Sequence, residues 1–344
     1  MTVPVALVGC GFFAQAHAEA WAGLPGARLL AVCDRDLARA QAFAERFGAR
    51  PYGDLDALLA AEAPAVVDVA TTVESHRALV ERAVRAAPLV ICQKPFAATF
   101  HDARAMVAAA RAAGARLLVH ENFRWQRPFR EVLRLLPEIG PVLSLRLEFR
   151  HAFDVYAGQP YLADAPDLAL TDIGPHLFDL ARLLGGEAMA VFAQAQRRNP
   201  RIRGQDAFTA QVIHTGGCLT TVEASFLTRL DPDPFPQTLA TVEGERGTLR
   251  LREGYRLEWH GPEGRRDLDV EPPVPPWGAK PWHGVQDSVI AFEGHALDVL
   301  AGRAAGQPDG ADNLRTLALM LAAIRSAREG RVVALAEVEG DPAA

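Results

Sequence analysis

Cysteine is scarce in this sequence, with four in 344 residues. They are Cys10, Cys33, Cys92 and Cys218, and no two stand as a C-x-x-C pair. That spacing argues against a zinc knuckle or a dithiol redox motif. Cys10, Cys33 and Cys92 fall near expected strand ends, where the simplest account is a small buried apolar residue. Long apolar runs are missing as well. None approaches the length of a membrane span, and no basic segment followed by an apolar stretch precedes the strand-like run at Val3. Neither a membrane partner nor a secretion signal is therefore expected. An excess of positive charge is also absent. The 36 lysines and arginines stand against 42 acidic residues, a formal net charge of -6. Such a chain offers no broad basic field to neutralise phosphates, so no nucleic-acid partner is expected. Arginines such as Arg104, Arg111 and Arg116 are scattered along expected helices and read as solvated faces. No internal repeat is visible. A chain that is 49% hydrophobic and 23% charged is an ordinary globular protein of about two domains, expected in a reducing cytoplasm.

The first third alternates short apolar runs with helical stretches. Val3 to Val8, Leu29 to Cys33, Ala65 to Ala70, Leu89 to Cys92 and Leu117 to Val119 read as strands. Helices are expected to about Trp21, to about Phe47, through about Arg85, and from about His101 to Ala113, with Gly48 and Gly114 as stop signals. The alternation predicts a doubly wound parallel sheet. Between the first strand and first helix lies Gly9-Cys10-Gly11-Phe12-Phe13-Ala14. Gly9 suits the tight turn, Gly11 lets main chain approach a pyrophosphate, and Ala14 permits close helix-to-strand packing. The helix N-terminus then offers free N–H groups to phosphate. Asp34, at the end of the second strand, would accept hydrogen bonds from the adenosine ribose and repel a 2′-phosphate. NAD is therefore expected rather than NADP, with Arg35 as the neighbour that could favour the phosphate.

Lys94 ends the apolar run Pro88 to Gln93 and precedes Pro95. An ammonium at a strand's carboxyl end stands where ligands bind in open α/β sheets. From about His120 the pattern changes. Leu143, Leu145, Leu147 and Phe149 alternate with Ser144, Arg146, Glu148 and Arg150, a strand with one buried face. Further strands are expected at about 207–214, 218–226, 237–242 and 248–252. Hairpin turns are expected at Gly244 to Gly247 and Gly261 to Gly264. Proline-rich Pro272 to Trp282 reads as a rigid connector, and helices follow at about 285–300 and 313–328. In Asp172-Ile173-Gly174-Pro175-His176-Leu177-Phe178-Asp179, an imidazole near carboxylates suits proton transfer. On one continuous helix Asp172, His176 and Asp179 would share a face, although Pro175 suggests that the helix begins near it. A metal is not expected there, because no other strong ligand cluster accompanies these residues.

Together these pieces resemble the Gfo/Idh/MocA oxidoreductase family (glucose–fructose oxidoreductase, inositol dehydrogenase and rhizopine catabolism proteins). The resemblance spans essentially the whole chain. It rests on Gly9-x-Gly11-x-x-Ala14, Asp34, Lys94-Pro95, Asn122-x-Arg124, Asp172-x-x-x-His176-x-x-Asp179 and the closing Ser326 to Arg331. It implies a Rossmann domain over residues 1–121. Residues 122–344 would form a substrate-binding and oligomerisation domain, an α/β unit on a large, mostly antiparallel open sheet. It implies a homodimer or homotetramer and hydride transfer between nicotinamide and a secondary alcohol or ketone of a sugar, polyol or related molecule. By position, Lys94 would polarise the reacting oxygen, His176 would be the general acid/base and Asp172 would support it. Phe12, Phe13, Thr71, Thr72, His76, Gln93, Asn122 and Arg124 would join the glycine loop around the cofactor. Two other readings remain: a redox-elimination glycosidase or lyase that regenerates its NAD, and a non-catalytic cofactor-binding regulator. The chain departs from the family pattern in three places. Gln93 stands for the usual Glu, removing a carboxylate that could hold Lys94 protonated. Val73 stands for a common proline, and Asp167-Leu168-Ala169-Leu170 replaces a glycine-rich stretch.

Overall fold

The structure is a computed structural model and describes residues 2–341. Two compact units emerge. Among the described residues the first is 2–121 together with Val289–Leu314, and the second is Asn122–Ser288 with 315–341. One division between the units lies at 121/122. The return of 289–314 to the first unit is a departure from a single cut. Main-chain hydrogen bonding holds this segment there: Val119 N–H donates to Pro308 O at 3.1 Å, and Leu118 bridges to Asp309.

The first unit alternates β1 (Val3–Val8), α1 (Ala14–Gly23), β2 (Ala27–Cys33), α2 (Leu37–Phe47), β3 (Arg50–Tyr52) and α3 (Leu55–Ala61). It continues with β4 (Val66–Val69), α4 (His76–Ala83), β5 (Leu89–Gln93), α5 (Phe100–Ala113) and β6 (Arg116–His120). The strands make one parallel sheet in the order β3-β2-β1-β4-β5-β6. Strands β4 and β5 are buried at every position, as expected where helices cover both faces of a parallel sheet. Asp36, Asp54 and Thr99 accept amide hydrogen bonds at the starts of α2, α3 and α5, satisfying donors that a first turn leaves free. Gly48 and Gly114 close α2 and α5 in the left-handed conformation. Three-residue β3 lies beyond the sequence reading, being too short for a period and carrying Pro51 at a sheet edge.

The second unit carries α6 (Arg127–Ile139), β7 (Val142–Arg150), α7 (Leu168–Asp172), α8 (Gly174–Gly185), β8 (Ala188–Gln196), β9 (Ala207–His214) and β10 (Leu219–Ser225). Next come β11 (Leu239–Gly244), β12 (Gly247–Arg252), β13 (Arg256–Gly261) and β14 (Gly264–Asp269). The chain then runs through α9 (His283–Leu300) and α10 (Gly310–Glu329), each divided between the units, to β15 (Val333–Ala334) and α11 (Leu335–Glu339). Nine strands form one mixed sheet in the order β14-β13-β12-β11-β7-β10-β9-β8-β15. Only β7 and β10 pair in parallel; the other pairs are antiparallel. The alternation in β7 buries Leu145, Leu147 and Phe149 and leaves Arg146 exposed. Both glycine-flanked turns are hairpins, joining β11 to β12 and β13 to β14. Charged β14, largely exposed, has no apolar period to read in the sequence. Among the described residues no helix is long and apolar enough to cross a membrane.

Candidate active site

Strand register brings the first unit's chemical residues to one edge. Val8 lies opposite Cys33 and Val69, Val69 opposite Cys92, and Gln93 opposite His120. The segments leaving these carboxyl ends carry Gly9, Asp34, Thr71 and Lys94. Gly9 has φ +102°, and a Cβ there would stand 2.4 Å from Ala70 O. Only glycine fits this turn. Gly11 serves a different purpose, because an added Cβ would meet no atom within 4 Å. Its outer side is open to a phosphate. Ala14 is buried at the start of α1, and Phe13 gives that helix no side-chain cap. In contrast to α2, α3 and α5, α1 starts without a side-chain acceptor, although the Ala16 N–H donates to Phe13 O at 3.0 Å. Phe12 is 42% exposed, whereas Phe13 lies edge-on to His17 and His120.

Asp34 is tied to this loop. Its Oδ2 accepts the Cys10 N–H and its Oδ1 the Asp36 N–H, both at 2.9 Å. The carboxylate therefore stands fixed beside the glycine turn, and Arg35 is exposed. These residues fit NAD: a phosphate approach at Gly11, an uncapped helix start and an anchored acid. Burial, with the neighbouring Asp34 and Cys33, pushes the Cys10 thiol up to about 12. Cys33 is pushed up to about 11 by burial, Asp54 and Asp34. All four cysteines are free and buried.

Thr71 and Thr72 occupy the turn after β4, with the Ser75 hydroxyl 2.8 Å from both Thr71 Oγ1 and Thr72 O. His76 is fully buried below, its ring nitrogens 3.2 Å from Phe96 O and Thr71 O. It braces the segments after β4 and β5 from inside, and burial pushes its pKa down. Lys94 is half-buried, and its peptide bond to Pro95 is cis. Its N–H donates to Gln93 Oε1 at 2.7 Å. Of the 36 lysines and arginines, only Lys94 and Lys280 are lysines, a compositional signal that sets position 94 apart from the arginine-rich surface.

In the second unit, Asp172 closes α7, and α8 starts anew at Gly174 with Pro175 in its first turn. The continuous helix that would align Asp172, His176 and Asp179 is thus broken at Ile173. His176 is buried and stacks on Phe123 at 3.8 Å and 3°. Asp179 faces Arg124, which donates through Nε at 2.7 Å and Nη2 at 2.5 Å, and Thr316 adds a hydroxyl at 3.3 Å. Arg124 therefore spends its fork on a buried carboxylate. Asn122 donates to Ser288 Oγ at 2.7 Å. Sequence reasoning misses the groups around Asp172. Burial pushes His151 down to about 4, opposed by Asp233 and Asp172. Burial and then Asp172 push Tyr161 up to about 12. His151 packs against Phe149, Phe226 and Phe235. Its signal was available, because His151 follows the end of β7 as Lys94 follows β5.

One further buried cluster, His17, His120 and Glu293, brings ligand-type atoms within 4.8 Å. It makes a poor metal centre. His17 Nδ1 lies 2.8 Å from Asp68 Oδ2 and Nε2 lies 3.0 Å from Gln93 Nε2, so neither nitrogen is left to ligate. Its ring also lies 4.1 Å from that of His120 at 36°, in a tilted stack.

Comparison with known proteins identifies the relatives of this chain. Residues 3–121 match a family described as "Oxidoreductase family, NAD-binding Rossmann fold", and residues 129–250 match the "GFO/IDH/MocA C-terminal domain". The chain is 44% identical to a protein named D-apiose dehydrogenase from Rhizobium rhizogenes, over 95% of this chain and 96% of that one. It is 45% identical to a D-apiose dehydrogenase from Paraburkholderia graminis, over 98% and 90%. An oxidoreductase from Agrobacterium radiobacter, solved in complex with NAD+, L-tartaric acid and magnesium, is 43% identical. It superposes with a TM-score of 0.95, covering 98% of this chain and 99% of that one.

Proposed function

Since the chain belongs to the Gfo/Idh/MocA family of NAD-binding oxidoreductases, we propose that it oxidises a CH–OH group of a pentose-sized sugar, with D-apiose the first candidate. It is an NAD-dependent dehydrogenase. The observation that carries the cofactor reading is Asp34, anchored by the Cys10 amide beside the glycine turn. The names of two relatives at 44% and 45% identity support the sugar. In this reading Gly9, Gly11 and the start of α1 hold the pyrophosphate, and Asp34 holds the adenosine ribose. Arg35, exposed, stays solvated. Thr71, Thr72 and Gln93 shape the cofactor's surroundings, and Phe12 covers it. His76, Asn122 and Arg124 act indirectly, through the buried bonds described above.

Bound NAD supplies the hydride acceptor. Lys94 stabilises the oxygen as negative charge develops on it, and the His176 imidazole takes the hydroxyl proton. Asp172 orients and supports His176. Phe123, stacked flat on the His176 ring, limits its rotation. His151, kept neutral by its apolar surroundings, and Tyr161 offer hydrogen bonds near Asp172 for further substrate hydroxyls.

The second unit's sheet is the proposed self-association surface, giving a homodimer or homotetramer. Exposed Leu219 and Ile213, paired across β10 and β9, support this. A reducing cytoplasm fits four buried free thiols. A panel of D-apiose, other pentoses, inositols and sugar acids with NAD and NADP tests the reading by nicotinamide absorbance. The expected result is NAD reduction with D-apiose at the greatest kcat/KM. Greater efficiency with NADP contradicts the Asp34 argument, and no NADH formation with any sugar contradicts the whole reading.

A further inference from the structure

Asp68 is a carboxylate inside an otherwise apolar strand, Val66-Val67-Asp68-Val69, and it is fully buried. Its Oδ2 lies 2.8 Å from both Trp21 Nε1 and His17 Nδ1. His17 Nε2 lies 3.0 Å from Gln93 Nε2, and Gln93 Oε1 accepts the Lys94 N–H. The bonds have one consistent direction. Because the Gln93 oxygen accepts from the Lys94 amide, its NH2 faces His17 and can only donate. His17 Nε2 must then accept, so the imidazole proton sits on Nδ1 and points at Asp68. The indole of Trp21 can only donate, so Asp68 Oδ2 accepts twice.

We propose that Gln93 and His17 are positioning residues for Lys94: a directed chain from Trp21 and Asp68 pins the Lys94 main chain, and glutamine at 93 keeps His17 neutral with its proton on Nδ1. The departure from the family's Glu at this position then has a physical role. A carboxylate at 93 would still accept the Lys94 N–H, but its second oxygen would face a bare His17 Nε2. That contact becomes favourable when His17 takes a second proton between two carboxylates. Three other groups face His17. Glu293 Oε1 lies 3.7 Å from Nδ1, and burial and the nearby Asp68 push the Glu293 pKa well up. Cys92, buried beside Asp68, is likewise held as a thiol, and His120 packs against the ring by its face.

The catalytic half of this inference rests on Lys94 acting in the reaction; the tautomer half does not. The experiment therefore has two arms. Labelling the ten histidines with 15N, and assigning His17 by its loss in His17→Gln, reads the tautomer by long-range 1H–15N NMR. The expected wild-type pattern is a protonated Nδ1 and bare Nε2, and Gln93→Glu should convert it to imidazolium. A proton on Nε2, or an imidazolium in the wild type, overturns the inference. In the kinetic arm, Gln93→Leu should lower kcat about 10- to 100-fold, with the sugar KM within about twofold. Gln93→Glu, which keeps the acceptor, should recover most of kcat. Full kcat in Gln93→Leu overturns the positioning role whatever the NMR shows. If Gln93→Leu does not fold, the Gln93→Glu spectrum and kcat still decide. Failure of Lys94→Met to affect turnover would instead count against the proposed function.

Discussion

In the first unit, main chain places the functional groups. Gly9 turns under Ala70, Asp34 is clamped by two amides, and Lys94 is held by its own N–H. In the second unit, side chains place one another. His176 is located by the Phe123 ring, Arg124 by Asp179, and His151 by three phenylalanines. A site set by backbone is robust to side-chain change and suits a constant ligand such as a dinucleotide. A site set by buried side-chain pairs can be re-cut for a new substrate, but each pair costs stability when broken.

Substitutions can break or sharpen that contrast. The largest expected effect is kinetic and belongs to the second unit. His176→Gln should lower kcat about 10²- to 10⁴-fold with NADH affinity unchanged by fluorescence titration. Next, Asp179→Ala should destabilise by about 3–5 kcal/mol, because it strands the Arg124 charge in the interior, as read by urea unfolding. His151 gives a pH signature. Its folded pKa of about 4 lies below the ordinary 6.5, so the unfolded state binds more protons between those values. Stability is complete above about pH 6.5 and falls by about 3 kcal/mol as the pH drops towards 4, with His76 and His214, also shifted down by burial, adding to the slope. His151→Phe should flatten the curve. In the first unit the two glycines should separate. Gly9→Ala should cost about 1–3 kcal/mol through its positive φ and the Ala70 clash. Gly11→Ala should leave stability unchanged and weaken NADH binding only. The smallest effect is Glu293→Gln. Burial and the nearby Asp68 hold the folded carboxyl's pKa well above the 4.5 of the unfolded chain. The variant should therefore gain thermal stability, and more at pH 8 than at about pH 5.

The same contrast explains what could be read in the sequence. Strand ends, the glycine loop, Asp34 and the helix stops at Gly48 and Gly114 depend on local backbone rules, and they stand where those rules put them. The hairpins at Gly244 to Gly247 and Gly261 to Gly264 follow for the same reason. Charged β14 and short β3 have no apolar period, and the return of 289–314 to the first unit depends on contacts far apart in sequence. Among candidate residues, Arg124, Asp179 and His76 are legible as important but not as partners, since their pairings span 55 and 20 residues. The Trp21–Asp68–His17–Gln93 chain left one sequence sign, an aspartate in a valine strand. Reading it requires knowing that α1, β4 and β5 are neighbours.

The central claim is that Lys94 is the electrostatic catalyst beside bound NAD. Lys94→Met tests it most directly, with turnover on the best sugar of the panel and NADH binding measured on the same preparation. The account predicts turnover lower by about 10²- to 10³-fold or more, with NADH affinity within about twofold of wild type. Wild-type turnover in the variant would contradict it.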